Sequence, residues 1–146
     1  MNHKEDLSSV FSSETPLVIR TYFEGGRNWE QMSTQFVAEN DWGFKANLSM
    51  VNDIRFEGYT FEDLVECGIR ESGHPIAFVA DRATFHEEET TLLCIDLEQE
   101  PTSSFRVLCS ELWTVENNLS TFNMDFNEFK DSCDENNIFR GFARIP

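Results

Sequence analysis

The sequence predicts a single α/β domain, built as a mixed sheet of five or six strands with short helices on both faces. The chain has 146 residues, which is near the commonest size of one domain. Apolar runs typical of strands alternate along it with segments of helical periodicity. The run Ile76–Ala80 is apolar at every position, which indicates a central strand covered on both faces.

The first third of the chain predicts two strands around one helix. Residues 16–23 are apolar and rich in β-branched side chains, as in a first strand. Asn28 and Gln31 have the spacing of a capping box, and the apolar spacing after them predicts a helix that ends near Asn40. Residues 44–50 alternate between apolar and polar, which predicts a strand near an edge with one wet face.

The middle of the chain predicts a short helix and a hairpin around the central strand. Thr60 and Asp63 form a second capping-box pattern, and Gly68 is expected to end that helix. Residues 91–97 and 104–109 are strand-like, and the polar turn between them is too short for a crossover helix. The two strands should therefore pair antiparallel.

The last third predicts two helices and a final strand. Ser110 is expected to cap an amphipathic segment, and Asp125 with Glu128 forms a third capping-box pattern. Residues 138–142 are apolar enough for a last strand or a docked tail.

The sequence predicts a cytoplasmic protein with a flexible N-terminal arm at 1–14 and one domain at 15–146. The start shows no signal-peptide pattern, and no apolar run approaches the length of a membrane span. The four cysteines are widely spaced, which favours free, buried thiols in a reducing compartment. No zinc spacing and no cofactor motif occurs, so we expect neither a metal nor a cofactor.

The net charge of −16 limits the classes of partner. Direct binding to nucleic acid or to an anionic membrane is not expected, because phosphate binding needs clustered lysine and arginine. A basic partner protein, a cation or simple solubility remains open. The oligomeric state is also open.

The first candidate site lies at the ends of strands. Thr21, Asp53 and the Asp81-Arg82 pair each follow an apolar run, and ligands of open α/β sheets bind beyond the carboxyl ends of parallel strands. If the strands of Thr21 and Asp81 are parallel neighbours, these groups converge. The alternative is that Asp81 caps the next turn or pairs with Arg82.

The second candidate site is the segment 110–120, which is dense in side chains that could bind a ligand. Trp113 offers a flat stacking face, and Glu116 could act as a general base in an apolar surround. Asn117 and Asn118 add amide groups, but they also fit a helix end, and Trp113 also fits a core.

The third candidate site is the acidic run Glu87–Glu89 together with Glu98. The run lies between two predicted strands and should be exposed, where it could contact a basic protein. The alternative is a solvated loop that discourages edge pairing.

Three readings of function follow from these patterns. The leading one is a non-enzymatic acidic module, an inhibitor or immunity-type protein that binds a basic partner through the third candidate site. The second is a small-molecule binder or enzyme with a crevice around Asp81 and Trp113, formed with Glu116, Asn117 and Asn118. The third is a DNA-mimic inhibitor. No phosphate loop, nucleophile elbow or zinc-protease motif occurs.

The C-terminal third of the chain also resembles a known family. The strings Glu111-Leu112-Trp113, Val115 to Ser120, Asn123 to Phe126 and Phe139 to Phe142 resemble an uncharacterised bacterial family known as a domain of unknown function. The resemblance extends over residues 16–142. It implies a bacterial origin and a single domain, and it brings no activity, substrate or cofactor.

Overall fold

Six strands and five α-helices make up the described part of the chain. The computed structural model describes residues 7–99 and 102–142. The strands are β1 (Leu17–Arg20), β2 (Ser49–Val51), β3 (Ile76–Ala80), β4 (Thr91–Asp96), β5 (Ser104–Leu108) and β6 (Ile138–Phe139). The helices are α1 (Trp29–Phe36), α2 (Phe61–Glu66), α3 (Arg82–His86), α4 (Leu112–Ser120) and α5 (Phe126–Lys130). Short 3₁₀ helices span Ser8–Phe11, Ile54–Phe56, Ile69–Ser72 and Cys109–Glu111.

The strands form one mixed sheet in the order β2-β1-β3-β4-β5-β6. β1 is parallel to β2 and β3, β5 is parallel to β6, and β4 is antiparallel to both of its neighbours. The C-terminal ends of all strands except β4 therefore lie at one end of the sheet, which we call the upper edge. The C-terminal end of β4 lies at the opposite end, which we call the lower edge. The predicted fold class and the antiparallel β4–β5 hairpin are confirmed.

Each face of the sheet carries its own hydrophobic core. The first face packs against α1, α3, α4 and α5, which contribute rings such as Phe36 and Phe129. The second face packs against α2 and 3₁₀ helices, which contribute Phe56 among others. β3 is buried at every position because Phe78 points to the first core and Val79 to the second. Its prediction as a central strand is confirmed.

The predicted helix starts are largely confirmed, because local capping chemistry decides them. Thr60 Oγ1 accepts the Asp63 backbone N–H (3.2 Å), and an Asp63 carboxylate oxygen accepts that of Thr60 (3.0 Å). Asp125 and Glu128 form the same reciprocal box at the start of α5. Asn28 caps α1 by accepting a backbone N–H three residues ahead (3.0 Å).

The strand predicted at residues 44–50 is wrong in extent, although β2 is an edge strand. Only Ser49–Val51 pairs with β1. The preceding segment bonds to α4 instead: the Phe44 ring stacks on Trp113 at 4.9 Å, and the Asn47 backbone N–H donates to Glu116 (2.6 Å). Those contacts turn the chain away from the sheet.

Two further boundaries differ from the sequence-based expectation. Ser110 does not cap α4, because a 3₁₀ turn covers Cys109–Glu111 and Glu111 occupies the N-cap position. The first helix ends at Phe36 rather than near Asn40. Asn40 instead closes a turn of its own, where its backbone N–H donates to the Phe44 carbonyl (2.8 Å).

The predicted arm at 1–14 is described from residue 7, and residues 1–6 lie outside the described part. Leu7 and Phe11 are buried in the second core, so this stretch packs against the sheet from Leu7 onward. Within the described residues, no helix has the length and apolar character needed to cross a bilayer.

Candidate functional site

Asp81 stands at the upper edge directly after β3, beside the end of β1. Its carboxylate accepts the backbone N–H (3.3 Å) and the hydroxyl (3.2 Å) of Thr84, which caps α3. The same carboxylate receives two hydrogen bonds from Arg106 on β5, at 2.7 and 3.0 Å. Arg106 also donates to the Thr91 hydroxyl (2.9 Å). The alternative that Asp81 caps the next turn is thus observed, and its ion-pair partner is Arg106 rather than Arg82.

The charge of Arg106 also keeps the Asp81 carboxylate ionised. Burial raises the pKa of the Asp81 carboxyl, but the hydrogen bonds and charge of Arg106, together with Thr84, lower it further than burial raises it. The pKa of Asp81 therefore lies below its usual value, and the carboxylate stays ionised at neutral pH. An ionised group with its acceptor positions occupied is suited to holding β3, β5 and α3 together.

The other strand-end residues also have structural partners. β1 and β3 are parallel neighbours, as the strand-end hypothesis required. Thr21 is buried and its hydroxyl donates to the Ala80 carbonyl (3.4 Å). Asp53 caps a 3₁₀ turn and pairs with Arg55 (2.7 Å).

Trp113 lies on the other side of the sheet from Asp81. It stacks on Phe44 and lines a cavity of about 410 Å³ with Phe36 and Ala46, which belong to the first core. Asp81 lines a different cavity, of about 340 Å³, beside side chains that pack in the second core. The predicted crevice around Asp81 and Trp113 is therefore not formed, because β3 projects Asp81 to the face opposite α4.

The amide and carboxylate groups of α4 hold two neighbouring loops. Glu116 is buried and accepts the Asn47 backbone N–H. Asn117 Nδ2 donates to the Lys45 carbonyl (3.1 Å), and so anchors the same loop. Asn118 Oδ1 accepts from the Asn123 side chain (2.8 Å) in the loop that follows α4. The polar string after Trp113 therefore fixes the loops before β2 and after α4.

We expect the Glu116→Leu substitution to lower the free energy of unfolding by about 1–3 kcal/mol, because it removes the hydrogen bond between the Asn47 backbone N–H and the buried Glu116 carboxylate. Glu116→Gln retains a side-chain oxygen and should cost less. Urea denaturation of the two variants measures both changes. Equal stability of Glu116→Leu and the natural chain would contradict a structural role.

The acidic loop at the upper edge is only partly free to meet a partner. Arg140 donates two hydrogen bonds to the Glu89 carboxylate, at 2.7 and 2.8 Å. These bonds lower the pKa of Glu89. Glu87 and Glu88 are exposed beside it, and all three line a cavity of about 410 Å³ with Arg106. Glu89 thus serves the fold, while Glu87 and Glu88 present their charges outward.

Glu98 lies at the lower edge, away from the other three glutamates of the third candidate site. The strand β4 separates them, and its rise of about 3.3 Å per residue places its two ends roughly 17 Å apart. Glu98 lines a cleft of about 590 Å³, which we call the acidic cleft. The carboxylates that line it are Asp96, Glu98, Asp125, Glu128 and Asp131.

Sequence reasoning missed the residues that organise both edges. Arg106 and Arg140 are isolated in sequence, and no local pattern points to their carboxylate partners. The position of Asp96 could have been noticed in the sequence, because an acid at the end of the apolar run of β4 is unusual for a buried strand. Phe122 could also have been noticed, because it is an aromatic residue within a polar stretch.

The described residues show neither a grouped set of metal ligands nor an activated thiol. Within 7–99 and 102–142, no three histidine, cysteine or carboxylate side chains are grouped so that they could hold a metal ion. All four cysteines are free. Burial raises the pKa of Cys109 and raises that of Cys133 to about 11, so neither thiol is activated as a nucleophile.

Comparison with known families adds one match. The family model described as "Domain of unknown function (DUF6924)" matches residues 15–142. The match includes all six strands of the sheet and both of its edges. A comparison with curated proteins found no match.

Proposed function

We propose that this chain, which belongs to the DUF6924 family, is a non-enzymatic acidic interaction module that binds a basic partner protein. The partner would be a protein that this module inhibits or neutralises. The proposal includes the bacterial cytoplasm as the location, in keeping with the four free cysteines and a reducing compartment.

The observation that supports the proposal is the imbalance of exposed charge. Among the residues that the structure describes, 17 aspartates and glutamates are exposed, compared with four lysines and arginines. Two of those four, Arg55 and Arg140, are paired with carboxylates of the chain itself. The surface therefore presents a largely uncompensated negative charge.

Three partly buried cations, Arg27, Arg70 and Lys130, bind backbone carbonyls of the chain. Arg27 donates to the Thr84 and Glu88 carbonyls, at 3.1 and 2.8 Å. Arg70 and Lys130 likewise donate to backbone carbonyls. These hydrogen bonds stabilise loops and keep the three positive charges partly buried.

A surface of this kind speeds association with a cationic protein. The summed negative potential attracts a basic partner during diffusion, and the gain in association rate falls as salt screens the charges. Fast association suits a protein that must neutralise its target. Glu87 and Glu88 at the upper edge are the contact residues that we favour, because both are exposed and neither is the carboxylate held by Arg140.

We expect the double variant Glu87→Lys/Glu88→Lys to associate with the basic partner at least about tenfold more slowly than the natural chain at low salt. Glu89 is left unchanged because it pairs with Arg140. Glu66→Lys/Glu71→Lys is the matched control, since it changes net charge equally at two other exposed positions. Partners are captured from native lysate at low and moderate salt, and association rates are then measured with the captured protein.

The comparison between the two double variants decides the proposal. A basic protein retained by the natural chain and by the control, but lost by Glu87→Lys/Glu88→Lys, would support the upper edge as its contact. If both variants retain the basic protein equally, the upper edge is not the surface that contacts it. If the natural chain retains no basic protein at low salt, the proposal as a whole is wrong.

A further inference from the structure

The acidic cleft at the lower edge contains a buried carboxylate oxygen to which no described residue donates a hydrogen bond. Asp96 is 3% exposed, at the end of β4. Its Oδ1 accepts the Glu98 backbone N–H (2.9 Å). Its Oδ2 is buried and has no hydrogen-bond partner among the described residues.

The surroundings of Asp96 favour a donor that enters from outside. The apolar side chains of Ile76, Leu119 and Phe126 line the cleft beside it, and each of them belongs to the first core. A buried carboxylate oxygen is unfavourable without a hydrogen bond, because it has lost its contact with water. A cationic donor in the cleft would supply that hydrogen bond and a compensating charge.

The other carboxylates of the cleft add to the attraction for a cation. Glu98, Asp125, Glu128 and Asp131 are all exposed and line the same cavity. In the part of the chain that the structure describes, they do not assemble into a group of three ligands that could hold a metal ion. Spread charges around one buried acceptor fit an organic cation better than a metal ion.

An aromatic ring on the rim of the cleft favours a cation with a flat face. Phe122 is 70% exposed and lines the cleft. Its φ of +58° lies in the left-handed region, where glycine is favoured at the end of a helix and a bulky residue is uncommon. The chain thus keeps a large exposed ring at a position where glycine would suit the backbone better. Aromatic faces attract cations and stack well on the planar guanidinium group.

We propose that the acidic cleft binds a guanidinium group carried on an apolar stem. Asp96 Oδ2 accepts a hydrogen bond from the guanidinium, and Phe122 covers its flat face or its stem. The guanidinium can belong to an arginine side chain of a basic partner or to a small free guanidine. The first source deepens the proposed function and rests on it, whereas binding of the group itself does not.

The test uses n-butylguanidine as the probe and n-butylurea as its neutral counterpart of similar shape. Each compound is titrated into the full chain, and amide chemical shifts are followed by NMR. We expect n-butylguanidine to shift the amides of residues around Asp96 and Phe122 in a saturable way, and n-butylurea to produce at least about tenfold weaker binding. No saturable shift with n-butylguanidine, or equal binding of the two compounds, would overturn the inference.

Three variants locate the site. Asp96→Asn and Phe122→Gly should each weaken n-butylguanidine binding, the first by about tenfold or more. Asp41→Asn, at an exposed position that does not line the cleft, is the matched control and should bind as the natural chain does. Phe122→Gly relieves the left-handed conformation, so it keeps the site testable if Asp96→Asn does not fold. Unchanged binding in either cleft variant would refute the assignment.

A peptide probe separates the two sources of the guanidinium. If an acetylated and amidated Gly-Gly-Arg-Gly-Gly peptide binds more tightly than n-butylguanidine, the source is a protein-borne arginine, and the reverse order indicates a small guanidine. Failure of both probes overturns this inference but leaves the role of Glu87 and Glu88 intact. If the natural chain captures no basic protein from the lysate but still binds n-butylguanidine, the proposed function alone is overturned.

Discussion

Replacing Phe105 with alanine is expected to lower the free energy of unfolding by about 3–5 kcal/mol, the range for deleting a fully buried phenylalanine side chain. Phe105 on β5 is 0% exposed. Its ring lies 5.0 Å from Phe126, 6.3 Å from Phe129 and 6.5 Å from Phe139, between ring centroids. These rings pack α5 and the edge strand β6 against β5, so the cavity left by alanine would loosen the whole C-terminal part of the first core.

Phe142→Ala is the matched control for this substitution. Phe142 also contacts Phe129 (5.3 Å) and Phe139 (5.0 Å), but it is 43% exposed and should contribute much less. Urea denaturation followed by tryptophan fluorescence measures both variants. If the two losses of stability are equal, the first core is not organised around Phe105.

Replacing Arg106 with methionine is expected to lower the free energy of unfolding by about 2–3 kcal/mol, somewhat less than for a fully buried ion pair. The Asp81 side chain is 31% exposed, so water would compensate part of the lost partner. Methionine retains the apolar stem of the arginine, and the measured loss therefore reports on charge and hydrogen bonding. Thermal or urea denaturation at pH 7 gives the value.

The pH dependence tests the cause of that loss. The folded pKa of Asp81 is lowered overall, since Arg106 and Thr84 outweigh the effect of burial. Stability from the pair is therefore complete above the unfolded pKa of about 3.9 and is lost as the pH falls through the folded pKa. The difference between the natural chain and Arg106→Met should accordingly shrink in acid. A difference that stays constant down to pH 2 would point to packing instead.

A double variant gives a second check on the same pair. In Arg106→Met/Asp81→Asn the unpaired charge is removed, while asparagine still caps α3. We expect the double variant to be more stable than Arg106→Met alone. The opposite order would mean that the Asp81 carboxylate stabilises the fold without its arginine.

Local chemistry explains which parts of the fold could be predicted. The capping boxes at Thr60 and Asp125, the all-apolar strand β3 and the β4–β5 hairpin depend on residues close together in the chain. The strand predicted at 44–50 was wrong in extent, because apolar and polar residues can also alternate in a loop that buries Ala46. That loop is held by Trp113 and Glu116, which are about 70 residues away in the chain.

The candidate sites were predicted less well than the fold. Asp81 was correctly placed at the end of a central strand, but its bond to Arg106 crosses two strand pairings. Glu98 and the Glu87–Glu89 run were grouped by composition, and the length of β4 separates them. The polar string after Trp113 was read as a possible ligand site, and its hydrogen bonds go to loops of the same chain.

The sequence by itself determined the α/β class, the central strand, most helix starts and the strong negative charge. These properties follow from short periodicities, caps and composition, which act over a few residues. Only the tertiary structure decided which arginine meets which carboxylate, which glutamates share an edge, and that Asp96 Oδ2 has no hydrogen-bond partner among the described residues. Such pairings depend on strand order and on the faces to which side chains project, because the partners are far apart along the chain.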